Sequence, residues 1–267
     1  MGKTMLAKAM ARSFDCSFRR IQFTPDLLPT DITGVNVYNQ ERGDFEFKPG
    51  AVFANIVLGD EINRASPKTQ SALLESMEEH QVTVDGVTYD MGLPFMVIAT
   101  QNPIEHEGTY PLPEAQLDRF MMRLSVGYPD PEVEAEILAT HGRHSMLDDI
   151  GPVTDASGAA RMISIAREVF VADALRRYIV DLVDSTRRHP DVYLGGSPRA
   201  SLMLLRATRA LAASEERDYA TPDDVKALAI PILAHRLIVS ADAAMSGRDA
   251  SAVLGHALDE VPVPVER

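Results

Sequence analysis

Two short apolar runs, at residues 54–59 and 95–99, are the features that most constrain the fold of this chain. Each run is too short for a typical helix, and each is followed by polar residues, Asp60 and Glu61 after the first and Asn102 after the second. Short continuous apolar runs are typical of buried strands in a parallel sheet. Such sheets bind ligands at the carboxyl ends of their strands. The sequence therefore predicts an α/β fold with a functional site that includes Asp60, Glu61 and Asn102.

Helix and strand signals alternate around these runs. The pattern predicts a helix over 5–14 and another that begins at Ser66-Pro67, where a capping serine precedes a proline in the first turn. Further strands are predicted over 18–23 and 121–126. Two hairpins are also predicted, one over 35–47 and one over 82–89 with Asp85-Gly86 at its turn.

The pattern changes at the Pro-Asp-Pro segment of residues 129–131. Two prolines so close together make a stiff link. Beyond it we find only helix signals, among them Ser/Thr-Pro caps at 197–198 and 221–222. We therefore expect an α/β domain over residues 1–129 and an all-α domain over residues 130–267.

Charge and composition exclude several classes of protein. The 267 residues include 26 Lys and Arg against 39 Asp and Glu, a formal net charge of -13. This balance argues against non-specific nucleic-acid binding, which needs a basic surface. The single cysteine, Cys16, excludes an intrachain disulfide and a cysteine-rich zinc site. No apolar run approaches the roughly 18 residues of a membrane span, so we expect a cytoplasmic protein without membrane insertion.

The Asp60-Glu61 pair suggests phosphate chemistry. One carboxylate can hold Mg²⁺, which prefers oxygen ligands, and the other can orient or activate a water molecule. Gly2, Lys3 and Thr4 provide a second signal, because they open a predicted helix and match the last three positions of a phosphate loop. Thr4 precedes Asp60 by 56 residues, a distance that suits such a loop and its Mg²⁺-binding acid. These residues alone leave open a solvated acidic loop and a chance Gly-Lys-Thr.

Four stretches of the sequence resemble the MoxR family of AAA+ ATPases. The longest, residues 59–79, reads GDEINRASPKTQSALLESMEE. The others are ATQNP at 99–103, LDRF at 117–120 and GSPRA at 196–200. The resemblance covers essentially the whole chain, and it implies a parallel-sheet P-loop NTPase core followed by an all-α helical lid domain.

The resemblance also implies ATP and Mg²⁺ as cofactors. Gly2, Lys3 and Thr4 would be the Walker A residues that bind the nucleotide. Asp60 would be the Walker B acid, which holds Mg²⁺ together with Thr4. Glu61 would be the catalytic glutamate.

Further roles come from the same resemblance. Asn102 would be sensor 1, which helps to position the attacking water, and Arg199 would be sensor 2 on the lid. Arg119 would be the arginine finger that reaches the nucleotide of a neighbouring subunit, so a ring is expected, with six copies. The ring would remodel or mature a client protein, in this family often one with a von Willebrand factor A domain. The hairpins at 35–47 and 82–89 would be the helix-2 insert and the pre-sensor hairpin, which in related ATPases contact the client.

The chain departs from the family pattern at its start. The first five positions of the phosphate loop and the strand before it do not occur in the sequence, so we expect a fragment or a start codon placed too late. In the family this strand lies between the strands predicted at 95–99 and 121–126, and both would lose a partner. Two other interpretations stay open: a non-hydrolysing interaction module and a DNA-acting ring ATPase.

Overall fold

The computed structural model of the chain describes residues 2–101, 109–140 and 146–264. The chain divides into two compact units. The first comprises Met1–Leu112 and Val126–Ala160, and the second comprises Pro113–Ser125 and Arg161–Arg267.

The helices and strands follow one another in a mixed order up to residue 99 and are mostly helical afterwards. Up to residue 99 they are α1 (Lys3–Ser13), β1 (Phe18–Gln22), α2 (Pro29–Thr33), β2 (Gly34–Asn39), β3 (Asp44–Pro49), β4 (Ile56–Asp60), α3 (Pro67–Glu79), β5 (Gln81–Val84), β6 (Val87–Asp90) and β7 (Met96–Ala99). Later elements are α4 (Glu114–Leu117), α5 (Pro131–Thr140), α6 (Ala156–Glu168), α7 (Asp173–Arg188), β8 (Val192–Leu194), α8 (Pro198–Ser214), α9 (Pro222–Leu233), β9 (Ile238–Val239), α10 (Ala241–Met245) and α11 (Ala250–Glu260). Short 3-10 helices lie at Ile62–Arg64, Met146–Asp149 and Ala234–Arg236.

A three-stranded parallel sheet in the order β1-β4-β7 lies at the centre of the first unit. The register places Gln22 opposite Asp60 and Gly59 opposite Ala99. Residues 56–59 of the middle strand are buried, because a strand with neighbours on both sides loses its solvent-facing edges. This arrangement confirms the predicted α/β class with a parallel sheet.

Gly59 allows close packing between the sheet and the elements that cover it. A Cβ atom at this position would lie 3.1 Å from Cε2 of Phe23 and 3.4 Å from Cδ2 of Leu73. Both side chains are fully buried. The covering helix α3 begins as predicted, with the Ser66 hydroxyl accepting from the Thr69 amide at 3.4 Å and a proline in the first turn.

Both predicted hairpins are present. The strands β2 and β3 form one antiparallel pair, and β5 and β6 form the other. Two contacts join the hairpins: the rings of Phe47 and Tyr89 stack with centroids 3.8 Å apart, and Asn36 donates to Asp85 at 2.9 Å.

The predicted strand over 121–126 is wrong, because these residues form no ladder with any strand in the described parts of the chain. An extended segment becomes a strand only when a neighbour supplies hydrogen bonds to its backbone. The amide of Arg123 instead donates to the carbonyl of Pro231, at 2.9 Å, within the second unit. The apolar pattern alone was therefore not sufficient for a strand here.

The second unit is built on helices α7, α8, α9 and α11. Its core includes Leu182, Leu204, Ile232 and Leu254, each fully buried. Strands β8 and β9 add a short antiparallel ladder that the all-α expectation did not include. Within the described residues no helix combines the length and the apolar composition that crossing a membrane requires.

The limits of the two compact units differ from the domain boundary predicted between residues 129 and 130. That domain boundary stays a prediction. Residues 113–125 belong to the second unit, where buried Arg236 binds the segment 118–121. Residues 126–160 belong to the first unit, where the amides of residues 153 and 154 donate to the Ser13 carbonyl at 2.8 and 3.3 Å. Contacts between residues distant in sequence thus decide which unit each segment joins.

Candidate active site

The carboxyl ends of β1, β4 and β7 bring polar residues to one edge of the sheet. Gln22 ends β1, Asp60 ends β4, and Thr100 follows β7. Glu61 comes directly after Asp60. The two predicted acids therefore lie where open α/β sheets bind their ligands. Asn102, the third predicted residue at this edge, lies outside the described residues.

The hydroxyl of Thr100 connects the two acids. It donates to Oδ1 of Asp60 at 2.5 Å and accepts from the backbone amide of Glu61 at 3.0 Å. The main chain of Thr100 extends the same connection, since its amide donates to the Gly59 carbonyl at 2.8 Å and its carbonyl accepts from the Ile62 amide at 3.0 Å. Thr100 thus sets the direction of the Asp60 carboxylate and the path of the chain after it.

Asp60 is a partly buried carboxylate that stays ionised. Arg20 donates to its Oδ2 from Nη2 at 2.6 Å and from Nε at 3.1 Å. Burial acts to raise the pKa of Asp60, but hydrogen bonds from Thr100 and Arg20 and the charges of Arg20 and Lys3 outweigh burial, so the pKa lies below its ordinary value of 3.8. Because the charge of Lys3 lowers the pKa of Asp60, the Lys3 ammonium group lies within electrostatic range of this carboxylate.

Glu61 has an unusual backbone and a well-anchored side chain. Its φ and ψ angles of 56° and 49° are in the left-handed region, which non-glycine residues seldom adopt. Oε2 accepts from Nε2 of Gln22 at 2.9 Å and from Nη1 of Arg64 at 3.1 Å. The side chain is 26% exposed, so water reaches it. Backbone strain of this kind clusters at functional sites, where the surrounding contacts maintain it.

Gln70 on α3 holds the turn that follows Glu61. Its side chain is fully buried, and Nε2 lies within hydrogen-bond distance of the carbonyls of Ile62, Ala65 and Tyr110, at 3.1, 3.2 and 2.9 Å. A buried amide in this position fixes the start of the 3-10 turn to the α3 helix. The conformation of Glu61 is therefore supported from both sides, by Thr100 and by this turn.

The Gly2-Lys3-Thr4 segment forms the N-terminus of α1. Gly2 has φ of 93°, which a residue with a side chain rarely adopts, and its carbonyl accepts the Leu6 amide at 2.9 Å. Lys3 is exposed and Thr4 is partly exposed. A helix N-terminus presents unpaired N–H groups and a positive dipole end, which favour phosphate.

Asp60 at this edge and Thr4 in the first turn of α1 fit a Mg²⁺-nucleotide by their chemistry. Asp60 and Thr4 offer the hard oxygen atoms that Mg²⁺ takes, and the lowered pKa keeps Asp60 anionic. The described residues contain no cluster of three or more His, Cys, Asp or Glu that could hold a metal without further ligands. Mg²⁺ is commonly held by one or two protein ligands together with substrate phosphates and water, so this limited donor set suits it.

Arg119 and Arg199 lie in the second unit, and both are partly buried. Arg199 is the second residue of α8, and Arg119 follows Asp118 directly after α4. The Asp118 carboxylate accepts from Nε of Arg236 and from Oγ of Ser197, both at 2.9 Å. Because Ser197 caps α8, the structure links the segment of Arg119 to the helix of Arg199. The two acids belong to the first unit and the two arginines to the second.

Sequence reasoning missed several residues that organise these sites, among them Arg20, Gln22, Gln70, Thr100 and Arg236. Arg20 and Gln22 were inside a predicted strand, and their alternate spacing could have placed them on one side of it. Thr100 follows its apolar run as Asp60 follows the other, which is a usable signal. Arg236 stands in a helical stretch, where no local pattern indicates that its partner is Asp118.

Comparisons with known proteins agree with this architecture. Residues 1–122 match the family described as "ATPase family associated with various cellular activities (AAA)", and residues 184–256 match the AAA lid domain. The chain is 48% identical to the uncharacterized protein YeaC of Bacillus subtilis, over 100% of this chain and 83% of that protein. It is 44% identical to the chaperone MoxR1 of Mycobacterium tuberculosis, over 99% of this chain and 72% of that protein.

A solved structure from Cytophaga hutchinsonii, provisionally described as an ATPase, has a TM-score of 0.92 and 39% identity. It matches 99% of this chain, which covers 83% of that chain. The expected combination of an α/β ATPase core and a helical lid domain is confirmed by these matches. The chain belongs to the MoxR family of AAA+ ATPases.

Proposed function

We propose that this chain binds ATP with Mg²⁺ and hydrolyses it, and that the cycle drives the remodelling or maturation of a client protein. The observation that carries the proposal is the pair Asp60 and Glu61, joined by the Thr100 hydroxyl at the sheet edge, with Lys3 in electrostatic range. A family relative named as a chaperone supports the client-directed part.

Binding would use the first unit. Asp60 and Thr4 are the proposed Mg²⁺ ligands, and bound Mg²⁺ would supply neutralisation of charge on the phosphate oxygens. Lys3 and the amides at the N-terminus of α1 are the proposed phosphate contacts. Gly2 supports this geometry, because its left-handed backbone allows the chain to turn into the helix.

Glu61 would orient the attacking water and accept its proton. This role needs a carboxylate that is both fixed and reachable by water, and Glu61 meets both needs, since its backbone is anchored to Thr100 and its side chain is 26% exposed. Gln22 and Arg64 hold its Oε2. Asn102 is proposed to assist by contacting the same water.

Arg119 and Arg199 would stabilise charge on the transferred phosphoryl group, as inserted arginines do in phosphoryl transfer. Arg119 is proposed to act on the nucleotide of a neighbouring subunit, which requires a ring, proposed here as a hexamer. This assignment can be tested by mixing two inactive variants, Arg119→Ala and Glu61→Gln. Mixed rings would recover turnover at sites that combine an intact Glu61 with an intact Arg119 from the neighbour, and mixtures that stay inactive would refute action in trans.

The two linked hairpins are the proposed client contact. Their tips present exposed aromatic and aliphatic side chains, with Phe45 71% exposed and Tyr38 53% exposed. Stacking of Phe47 on Tyr89 makes the two hairpins one surface. A client with a von Willebrand factor A domain is proposed on the family resemblance.

The decisive experiment measures Mg²⁺-dependent ATP turnover by the 267-residue chain and by the same chain lengthened upstream to carry a complete phosphate loop. We expect Glu61→Gln to lower turnover by about 10²-fold or more while nucleotide binding is retained. The matched control is Glu75→Gln, the same chemical change at an exposed position of α3, which should leave turnover unchanged. Nucleotide binding without turnover in both lengths would instead favour a non-hydrolysing interaction module.

A further inference from the structure

Arg236 is a buried arginine that the proposed chemistry does not use. It ends the 3-10 turn after α9, and its side chain is only 1% exposed. A buried guanidinium must have its charge and its five N–H donors matched, since an unpaired one is costly. The groups that match it therefore indicate what this residue is built to hold.

Most of those groups belong to one short segment on either side of Arg119. Nε donates to the Asp118 carboxylate at 2.9 Å, and Nη2 donates to the carbonyls of Asp118 at 3.2 Å and Phe120 at 2.5 Å. Nη1 donates to the Met121 carbonyl at 3.2 Å. One planar side chain thus binds the backbone before and after Arg119. A lysine, with a single flexible ammonium group, cannot reproduce this fork.

The same contacts reach the helix that carries Arg199. The second carboxylate oxygen of Asp118 accepts from the Ser197 hydroxyl at 2.9 Å, and Ser197 is the N-cap of α8. Arg199 is the second residue of that helix. Burial lowers the pKa of Arg236, and the hydrogen bond and charge of Asp118 act to raise it. The positive charge of Arg199 also lowers this pKa, so the two arginines lie within electrostatic range of each other.

We propose that Asp118, Ser197 and Arg236, here called the arginine frame, are positioning residues that hold Arg119 and Arg199 in one rigid arrangement. The two arginines then meet nucleotide phosphates as a unit rather than as two independent contacts. Such placement matters because a misplacement of about 1 Å can cost about 10²-fold in rate. This inference rests on the proposed ATP hydrolysis.

The test compares Arg236→Lys with Arg199→Ala and with the double variant in ATP turnover. We expect Arg236→Lys to lower kcat about tenfold or more with a smaller effect on the KM for ATP. The double variant should lose less kcat than the product of the two single losses, because the frame then has one arginine fewer to position. Ser197→Ala provides a second, milder change in the same frame, because it removes one hydrogen bond to Asp118 and leaves no buried charge unpaired, and it carries the test if Arg236→Lys fails to fold.

The matched control is Arg217→Lys in the same unit. Arg217 also forms an arginine–carboxylate network, with Asp224 and Glu215 at 2.6 Å, and it does not contact the segment 118–121 in any described interaction. Its replacement should lower the thermal stability and leave kcat unchanged. Equal losses of kcat in the Arg217 and Arg236 variants would show that Arg236 acts through stability alone, and the inference would be overturned.

Amide hydrogen exchange gives a readout without turnover. Arg236→Lys and Ser197→Ala should both accelerate exchange at residues 119–121 and at the start of α8, whereas Arg217→Lys should not. Acceleration of exchange at residues 119–121 without any change at α8 would overturn the shared frame. Multiplicative effects of Arg199→Ala and Arg236→Lys on kcat would also overturn it. If the unmodified chain, also in its lengthened form, shows no Mg²⁺-dependent turnover, the proposed function itself fails and this inference fails with it.

Discussion

His235 couples the stability of the second unit to pH. Burial, followed by the positive charge of Arg236, lowers the pKa of His235 from 6.5 to about 4. The imidazole is therefore neutral in the folded chain and takes up a proton on unfolding at any pH between these two values. Since the unfolded state binds more protons in this window, the free energy of unfolding should fall as the pH falls from about 6.5 to about 4.

The magnitude follows from the two pKa values. The difference between 6.5 and about 4 corresponds to about 3 kcal/mol once the pH is below both. At pH 4.5 most of this loss is already present. Because the ring is only partly buried, solvent screening reduces it, and we expect the second unit to lose about 2 kcal/mol between pH 7 and pH 4.5.

Exchange protection of the α9 amides, corrected for the intrinsic exchange rate, reports the opening of this unit. His235→Gln is the control, because glutamine keeps a polar side chain that does not titrate, and the variant should lose about 2 kcal/mol less than the unmodified chain. The aspartates with lowered pKa among the described residues, Asp26, Asp60 and Asp224, titrate below 3.8 and thus outside the window. Equal losses in both proteins between pH 7 and pH 4.5 would refute the reasoning.

Three further predictions concern stability. Leu204→Ala should cost about 2–5 kcal/mol in the free energy of unfolding of the second unit, because this fully buried side chain leaves a cavity, as urea denaturation followed by circular dichroism would show. Thr221→Ala should cost about 1 kcal/mol, measured in the same way, since the Thr221 hydroxyl no longer accepts from the Asp224 amide or donates to its carboxylate. Gly50→Ala should destabilise the β2–β3 hairpin by about 1–3 kcal/mol, seen as faster amide exchange there, because its Cβ would lie 2.2 Å from the Ile32 carbonyl oxygen.

Each of these changes has a matched control in the same chain. Leu202→Ala removes the same atoms from an exposed position of α8 and should change stability little. Thr221→Ser keeps the capping oxygen and should retain most of the stability. Gly255→Ala lies within α11 with open space around its Cβ, so it should stabilise by about 0.5–1 kcal/mol. If a control variant loses as much stability as its test variant, the mechanism assigned to that position is contradicted.

Several elements could be predicted because their signals are local. The buried strand β4 is a run of apolar residues, and α3 begins where Ser66 and Pro67 predict it. The Asp85-Gly86 turn predicts the β5–β6 hairpin for the same reason, since both residues adopt positive φ there. In each case the backbone conformation depends mainly on residues within a few positions.

The segment 121–126 shows where local reasoning fails. Its residues favour a strand, yet the described chain has no neighbouring strand for them. Arg236 instead donates to the carbonyl of Phe120, just before the segment, and to the carbonyl of Met121 at its start. The pairing of a strand is decided by what lies beside it in space. Residues 113–125 belong to the second unit for the same reason, because their contacts in space are with that unit.

The sequence alone determined where the candidate residues of this site lie. Asp60 and Glu61 could be identified because acids after a buried strand must lie at a sheet edge, and Lys3 because it opens a helix after a glycine. Only the tertiary structure decided what holds these groups. Thr100 reaches Asp60 and Glu61 because β7 pairs in parallel with β4, and Arg236 reaches Asp118 across more than a hundred residues of chain. Such partners are set by strand register and helix packing, which bring together side chains that no sequence spacing relates.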